Sequence, residues 1–282
     1  MKFIFPLLIC SLFYSCEWIN PTEDIPGYIY IDSIKLSTNN SLGPNTSKIT
    51  DAWIYHAGEL VGIYDLPATI PILKKDSNGI SVGAGIKHNG KVNTRITYPF
   101  YKFSTPPTEL IAGEIDTLDV SVSYFDPSNL ELYILEDFEF GNSFEKLSGD
   151  TSLIKIENEH CFEGSTSGYI YMDTVYNEFE IRSLESFQIP NAGSTLFLEM
   201  DYKCSNNFSI GILVDNGSFL VKRYKITLVD KEDWNKIYIN LSTEIYGNTN
   251  NEYKLIIGGQ LDNNKTEGDI YIDNLKLIGF KQ

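Results

Sequence analysis

Apolar and polar residues alternate with a period of two along most of the chain, and no stretch sustains the 3.6-residue period of an amphipathic helix. Leu118, Val120, Val122 and Tyr124 fall on one side of the segment 117–125, with Asp119, Ser121 and Ser123 between them. The same reading predicts strands over 28–36, 51–55, 59–64, 79–86 and 92–98. A further series covers 169–172, 196–202, 208–214, 224–229, 234–241, 253–258 and 268–277. His56-Ala57-Gly58 is a short turn that suits antiparallel pairing of its flanking runs, and Asn89-Gly90 favours the positive φ of a tight hairpin. Pro67 and Pro71 confine residues 66–71 to an edge or a crossover, because proline lacks the ladder donor. Asp126-Pro127-Ser128-Asn129 is a turn cluster between two strand series. The expected architecture is all-β, with one sandwich over 28–126 and a second over 130–282, each long enough to bury its own core.

The start of the chain departs from this pattern. Lys2 precedes an apolar run over 3–13, too short to cross a bilayer as a helix, and then Tyr14-Ser15-Cys16. Residues 1–15 therefore predict a secretory signal peptide. Leu12-Phe13-Tyr14-Ser15-Cys16 resembles the lipobox of bacterial lipoproteins, which implies that Cys16 is lipidated, with palmitate among its acyl chains, and becomes the mature N-terminus. Ordinary secretion with cleavage near Ser15 is the alternative. Residues 16–27, polar and broken by Pro21 and Pro26, read as a tether. Its acidic character, including Glu17, resembles that of Bacteroidota lipoproteins and implies an outer-membrane location, with exposure at the cell surface somewhat favoured. Asp32-Ser33-Ile34, Asp116-Thr117-Leu118 and Asp173-Thr174-Val175 resemble the O-glycosylation acceptor of exported proteins from the same bacteria.

Charge removes one class of partner. With 38 acidic against 22 basic residues the formal net charge is −16, so an approach to nucleic acid phosphates begins with repulsion. The 18 tyrosines and 16 phenylalanines, within a chain 42% hydrophobic, mark a packed β protein and not an acidic disordered tail. Of four cysteines, Cys10 leaves with the leader and Cys16 takes lipid. Cys161 and Cys204 remain, either as a disulfide permitted by export or as two small buried hydrophobes. His56, His88 and His160 are scattered singly and do not make a zinc site. Arg95 and His88 read as solvated strand and turn residues.

Three resemblances bear on function. Trp53-Ile54-Tyr55, a turn, Leu60-Val61-Gly62 and then Leu66-Pro67-Ala68-Thr69 are similar to the PEGA-type and transthyretin-like sandwich modules of bacterial envelopes, which implies a spacer or docking role without chemistry. Glu114-Ile115-Asp116 resembles the catalytic strand of laminarinase-like glycoside hydrolases, but Asp119 stands where the third acid should be glutamate. Paired carboxyls about 5 Å apart are not expected from a segment at a domain end. The third resemblance spans the second domain. Asp137-Phe138-Glu139 near its start and Ile270-Tyr271-Ile272-Asp273-Asn274-Leu275 at its end resemble the first and last strands of jelly-roll carbohydrate-binding, or galactose-binding-like, modules. That resemblance implies a structural calcium, seeded by Glu139 and Asp273 with Glu163 in addition. It also implies sugar capture by exposed aromatics and amides, for which Tyr171, Tyr176, Trp234, Tyr246, Asn206, Asn207 and Asn216 are the candidates. Trp234 opens a strand after Glu232-Asp233 and is expected to pack into the core instead. The reading that follows is a non-catalytic, lipid-anchored envelope protein that binds glycan. A structural or accessory subunit of an outer-membrane complex is the alternative, and a hydrolase through Glu114 and Asp116 a remote third.

Overall fold

The computed structural model describes residues 23–38, 40–73, 79–157, 160–189, 193–245 and 251–281; the leader, Cys16, most of the tether and Tyr246 lie outside the described residues. The first unit contains β1 (Gly27–Ile31), β2 (Ile34–Ser37), β3 (Asp51–His56), β4 (Glu59–Asp65) and β5 (Ala68–Ile72). It continues with β6 (Ile80–Lys87), β7 (Arg95–Thr97), β8 (Ile115–Thr117) and β9 (Val120–Ser123). A four-stranded sheet, β4-β3-β6-β7, shares one core with a three-stranded sheet, β5-β1-β8, and the pair β2-β9.

Local chemistry accounts for most of these elements. Ala57 and Gly58 both take positive φ, the geometry that lets His56 pair with Glu59 across a two-residue turn. Pro71 lies in β5 opposite Tyr28, at a sheet edge where its missing N–H costs no ladder bond. The segment 117–125 keeps its predicted face, with Leu118, Val120, Val122 and Tyr124 all buried, but it is two strands. β8 runs parallel to β1 and β9 parallel to β2, so the ladder is interrupted at residues 118–119 as the chain changes partner. The predicted strand over 92–98 shrinks to β7. Asn89 and Gly90 do take positive φ, yet they open a longer loop because Asn89 serves the second unit: its N–H donates to Tyr238 O (3.0 Å) and its Oδ1 accepts from Asn240 N (2.7 Å).

The second unit contains β10 (Leu130–Glu136), β11 (Phe144–Gly149), β12 (Ile154–Glu157), β13 (Thr166–Asp173), β14 (Glu178–Ser183) and β15 (Leu196–Cys204). It ends with β16 (Phe208–Asp215), β17 (Leu220–Leu228), β18 (Lys231–Asn240), β19 (Glu252–Gln260) and β20 (Glu267–Phe280). The six-stranded sheet runs β12-β13-β20-β15-β18, with β10 also paired to β20; the five-stranded sheet runs β11-β14-β19-β16-β17. Their facing sides form the second core, to which β15 gives Leu196, Leu198, Met200, Tyr202 and Cys204.

The other face of the six-stranded sheet is also buried over half its length, because the first unit sits on it. Phe197 of β15, Tyr238 of β18 and Ile278 of β20 join the first unit's core, as does Leu130. That burial explains why β15 and β20 read as continuous apolar runs, the pattern of a strand covered on both sides. In β20 the phase inverts at Asn274, whose φ of 48° accompanies a register shift against β15. The extra residue turns Leu275 and Leu277 into the second core and Lys276 and Ile278 toward the first unit. Burying Phe197, Tyr238 and Ile278 contributes about 1.5–3 kcal/mol each to the association.

Most of the charged and phenolic groups in this interface are paired, although Asp201 Oδ1 and His88 Nε2 are buried without a hydrogen-bond partner. Glu199, fully buried, accepts from Tyr98 OH (2.6 Å) and from Tyr124 OH (2.7 and 2.8 Å). Lys276 Nζ donates to Tyr124 OH (2.7 Å) and lies 3.7 Å from Glu199 Oε2. Burial first, and then the Glu199 charge, hold the Tyr98 and Tyr124 hydroxyls far above their ordinary range, so both stay neutral donors. Alongside, Lys236 Nζ bridges Asp201 (3.2 Å) and Thr46 Oγ1 (2.7 Å).

Candidate functional site

With one sheet half covered, the outer face of the five-stranded sheet is the broad surface the second unit leaves open. Its central feature is Tyr224 on the edge strand β17. Tyr224 pairs with Gly211 on β16, which in turn pairs with Ile256 on β19, and its hydroxyl reaches Glu180 Oε1 on β14 at 2.8 Å. The phenol therefore lies along the sheet and does not stand on it. Glycine makes the room: a Cβ at Gly258 would come 2.5 Å from the Tyr224 hydroxyl and 3.0 Å from Glu180 Cγ. At Gly211 an added Cβ would strike the backbone of Arg223 and Tyr224, where the two strands shift register. Tyr224 remains 41% exposed, so one face of the ring is open to solvent.

Hydrogen-bonding groups fence the ring. Glu180 accepts from Ser148 Oγ (2.5 Å), Lys222 Nζ (2.5 Å) and Tyr224. Burial pushes its pKa up, and the bonds from Lys222, Ser148 and Tyr224 more than offset that, holding the carboxyl below its usual range. Burial and then Glu180 hold the Tyr224 hydroxyl well above its ordinary value, so it is a neutral donor. Further along the face, Glu145 takes Arg182 Nε at 2.7 Å and Lys254 Nζ at 3.5 Å. An exposed aromatic plane beside fixed donors and acceptors can stack on an apolar ring face and hydrogen-bond the polar groups at its rim.

Two other aromatic groups behave differently. On the uncovered part of the six-stranded sheet, Tyr271 stacks between His160 (5.1 Å) and Tyr169 (4.8 Å), with Lys203 Nζ 4.6 Å from its centroid. Lys203 also reaches the ring of Trp234 (5.4 Å), against which Phe162 packs at 5.7 Å. Trp234 is thus half-buried on the outer side of the sheet, contrary to the expectation that it packs into the core. Each ring of this cluster packs against another ring, and Tyr271 and Trp234 also against Lys203. On the first unit, Trp53 faces Ile63 and Gly83 across its neighbouring strands, and Tyr55 meets Phe103 edge-on at 5.4 Å. Phe103 lies over Gly83, and Trp53 Nε1 is buried without a hydrogen-bond partner.

The acids expected to seed a calcium site have other tasks. Glu139 Oε1 accepts from Ser165 N (2.7 Å) and Thr166 N (3.0 Å), and its Oε2 from Ser165 Oγ (2.7 Å). Those bonds hold its pKa down to about 2. Asp273 accepts from Phe162 N (2.9 Å), Glu163 N (3.3 Å) and Asn274 N (2.8 Å), yet burial outweighs them and raises its pKa to about 6. Glu163 lines a pocket of about 300 Å³ with Asp137 and Glu139. Among the described residues, no three Asp, Glu, His or Cys side chains converge as the ligands of a metal do.

The remaining candidates are mostly structural. No disulfide joins Cys161 to Cys204: Cys161 Sγ is 3.5 Å from Gly164 O, and Cys204 is a buried thiol 3.5 Å from Val229 O, its pKa pushed up to about 11 by burial. Arg95 is not solvated, because it pairs with Asp51 (3.0 Å) and Asp65 (2.9 Å); nor is His88, which packs near Phe197 at the interface. Glu114 is exposed before the short edge strand β8, and Asp116 accepts from Glu109 N at 2.8 Å. Asn206 is buried and ties Asn207 O to Gln260 O, while Asn216 Oδ1 closes a turn onto Ser218 and Phe219. Tyr171 and Tyr176 are exposed, apart from the Tyr224 face. Tyr224 escaped the sequence reading, since Lys222, Tyr224 and their exposed neighbours look like any solvated strand; the signal lay in Gly211 and Gly258, two glycines within otherwise apolar strands.

No family model and no curated protein matches the chain. Similar solved structures include a family 61 carbohydrate-binding module in complex with β-1,4-galactotriose, at 14% identity and TM-score 0.34 over 50% of this chain and 92% of that one. A carbohydrate-binding module of the β-sandwich superfamily is similar at 15% identity and TM-score 0.39, over 80% of this chain and 84% of that one. A mutant of a family 29 carbohydrate-binding module is similar at 15% identity and TM-score 0.35, over 53% and 90%.

Proposed function

We propose that this protein is a non-catalytic glycan-binding protein of the cell envelope, held at the outer membrane by lipid on Cys16, with the open face of the five-stranded sheet as its binding surface. The observation that carries the reading is Tyr224, laid flat over glycine with one ring face exposed and its hydroxyl fixed by Glu180. A sugar ring would stack on that face, and its hydroxyls would meet Glu180, Lys222, Arg182 and Glu145. Pre-set groups of this kind lose little freedom on binding. The test is calorimetric titration of a polysaccharide panel into wild-type and Tyr224→Ala protein. Loss of about 1.4 kcal/mol, about tenfold in Kd, is the expected effect of removing the stacking ring. Unchanged affinity in a folded Tyr224→Ala protein would show that glycan does not lie on this face.

A second reading, an accessory subunit docked on a membrane protein complex, draws on Trp53, Tyr55, Ile63 and Phe103 of the first unit. Phe103 and Ile63 are exposed there beside the aromatic pair, the kind of apolar group that marks a protein contact. Co-purification from detergent-solubilised membranes that fails with Phe103→Ser and persists with Tyr224→Ala would favour it.

A further inference from the structure

A cavity of about 470 Å³ opens between the two units, walled by the Lys48–Thr50 stretch and the 87–92 loop of the first unit and by the ends of β17 and β18 of the second; Tyr224 is not among its lining residues. Four lysines line it, Lys48, Lys87, Lys231 and Lys236, and no aspartate or glutamate does, in a protein whose acids outnumber its bases 38 to 22. Two of the four are neutralised from behind. Lys87 is paired with Asp51 and Asp65, and Lys236 with Asp201. The other two are not: Lys48 Nζ donates to the uncharged side chain of Asn235, and among the described residues no carboxylate pairs with Lys48 or Lys231. Burial and the neighbouring Lys231 charge both lower the Lys48 pKa, as two cations facing a common space without a counter-charge must.

The rest of the wall is mixed. Tyr202, Ile237 and Val229 give it an apolar side, and Asn89, Asn235 and Thr227 give it hydrogen-bonding groups. The volume is that of a small-molecule site, ample for one or two sugar rings and small for a folded partner. We infer that this inter-unit cavity binds an anionic saccharide, a sugar ring whose carboxylate or sulfate sits between Lys48 and Lys231. The inference extends the glycan-binding reading to a second, charge-selective site. It stands on residues that the Tyr224 face does not use. Lysine's compact ammonium suits either oxyanion as a point charge, so the ligand's charge is specified and its geometry is not.

The experiment titrates four probes into the full-length protein: a uronic acid trisaccharide, a sulfated trisaccharide, a neutral trisaccharide of matching linkage, and inorganic sulfate. Wild type, Lys48→Gln/Lys231→Gln, Lys48→Arg/Lys231→Arg and Tyr224→Ala proteins are compared. The expected result is binding of a charged trisaccharide that weakens as salt rises, falls about tenfold or more in the glutamine variant, and survives in the arginine and Tyr224→Ala variants. Should the glutamine variant not fold, the salt dependence and the charged-against-neutral ratio in wild type decide the matter. Equal affinity for the neutral trisaccharide, inorganic sulfate binding as tightly as the sulfated sugar, or no binding of any charged probe overturns the inference. Loss with Tyr224→Ala alone would place the charged sugar on the open sheet, and so keep the proposed function while removing this site.

Discussion

Replacing Glu199 by alanine should destabilise both units together, because the buried pair it forms with Lys276 lies where they pack on one another. Glu199 is fully buried and Lys276 only 3% exposed, at 3.7 Å from each other. At an effective dielectric near 20 that separation corresponds to about 4 kcal/mol of attraction. Desolvation of both ions offsets much of it, so the intact pair adds little net stability. Breaking it is another matter. Alanine at 199 leaves Lys276 without its carboxylate and Tyr98 and Tyr124 without their acceptor, and the cost of such an uncompensated buried charge is about 3–5 kcal/mol. Lys276→Met should cost less, about 1–3 kcal/mol, since Glu199 keeps both phenols. The double variant Glu199→Leu/Lys276→Met should be more stable than the sum of the singles by about 2 kcal/mol. Urea unfolding measures this directly, because Trp53 reports the first unit and Trp234 the second once Trp18 is changed to Phe. Both signals should move together in one transition. A Glu199→Ala midpoint within about 0.5 kcal/mol of wild type, or separate transitions for the two tryptophans, would refute the coupling.

Asp273 should make stability fall as pH rises from about 4 to about 6. Its folded carboxyl keeps its proton up to about 6, above the ordinary aspartate value of about 3.9, so the folded state binds more protons in that window and stability of at most about 3 kcal/mol, present below the unfolded pKa, is lost as pH rises through the folded one. Urea melts of wild type and Asp273→Asn across that range should diverge with pH; parallel curves would remove Asp273 as the source. Cys16→Ser should shift the protein from the membrane to the soluble fraction, since each buried lipid CH₂ contributes about 0.8 kcal/mol. Retention on membranes after a high-salt wash would point to another mode of attachment.

Strand content was legible from alternation alone, and so were the exclusion of Pro71 from a central strand, the turn at His56-Ala57-Gly58 and the positive φ at Asn89-Gly90, because each depends on neighbours in sequence. What stayed hidden depends on partners distant along the chain. Glu199, Asp201, Lys236 and Lys276 are charged residues in strands, and pattern reading assigns such residues to water; nothing local shows that the first unit covers them. Trp234 was misassigned for the converse reason. A strand-opening tryptophan normally turns inward, but at the register shift in β18 it faces the outer side, beside Lys203. The Asp273-Asn274 string lies in the last strand, β20, but Asp137-Phe138-Glu139 falls in the turn just after the first strand of the second unit, β10, which ends at Glu136. Their carboxylates went to backbone amides of the 162–166 loop, which no spacing rule anticipates.

The segment 126–129 has the look of a seam at which evolution could cut and exchange modules, but the packing makes the two halves unequal heirs. The second unit encloses a core of its own residues, whereas the first completes its core only with Leu130, Phe197, Tyr238 and Ile278. A first unit transferred to another protein would arrive with an open core, and a second unit left behind would expose an apolar strip flanking buried charges. Exchange at that seam therefore requires a replacement whose surface already matches Glu199 and Lys276. Inheritance should keep the two halves together, and changes in β15 and β20 should be answered by changes around Tyr98 and Tyr124, more than 70 residues upstream.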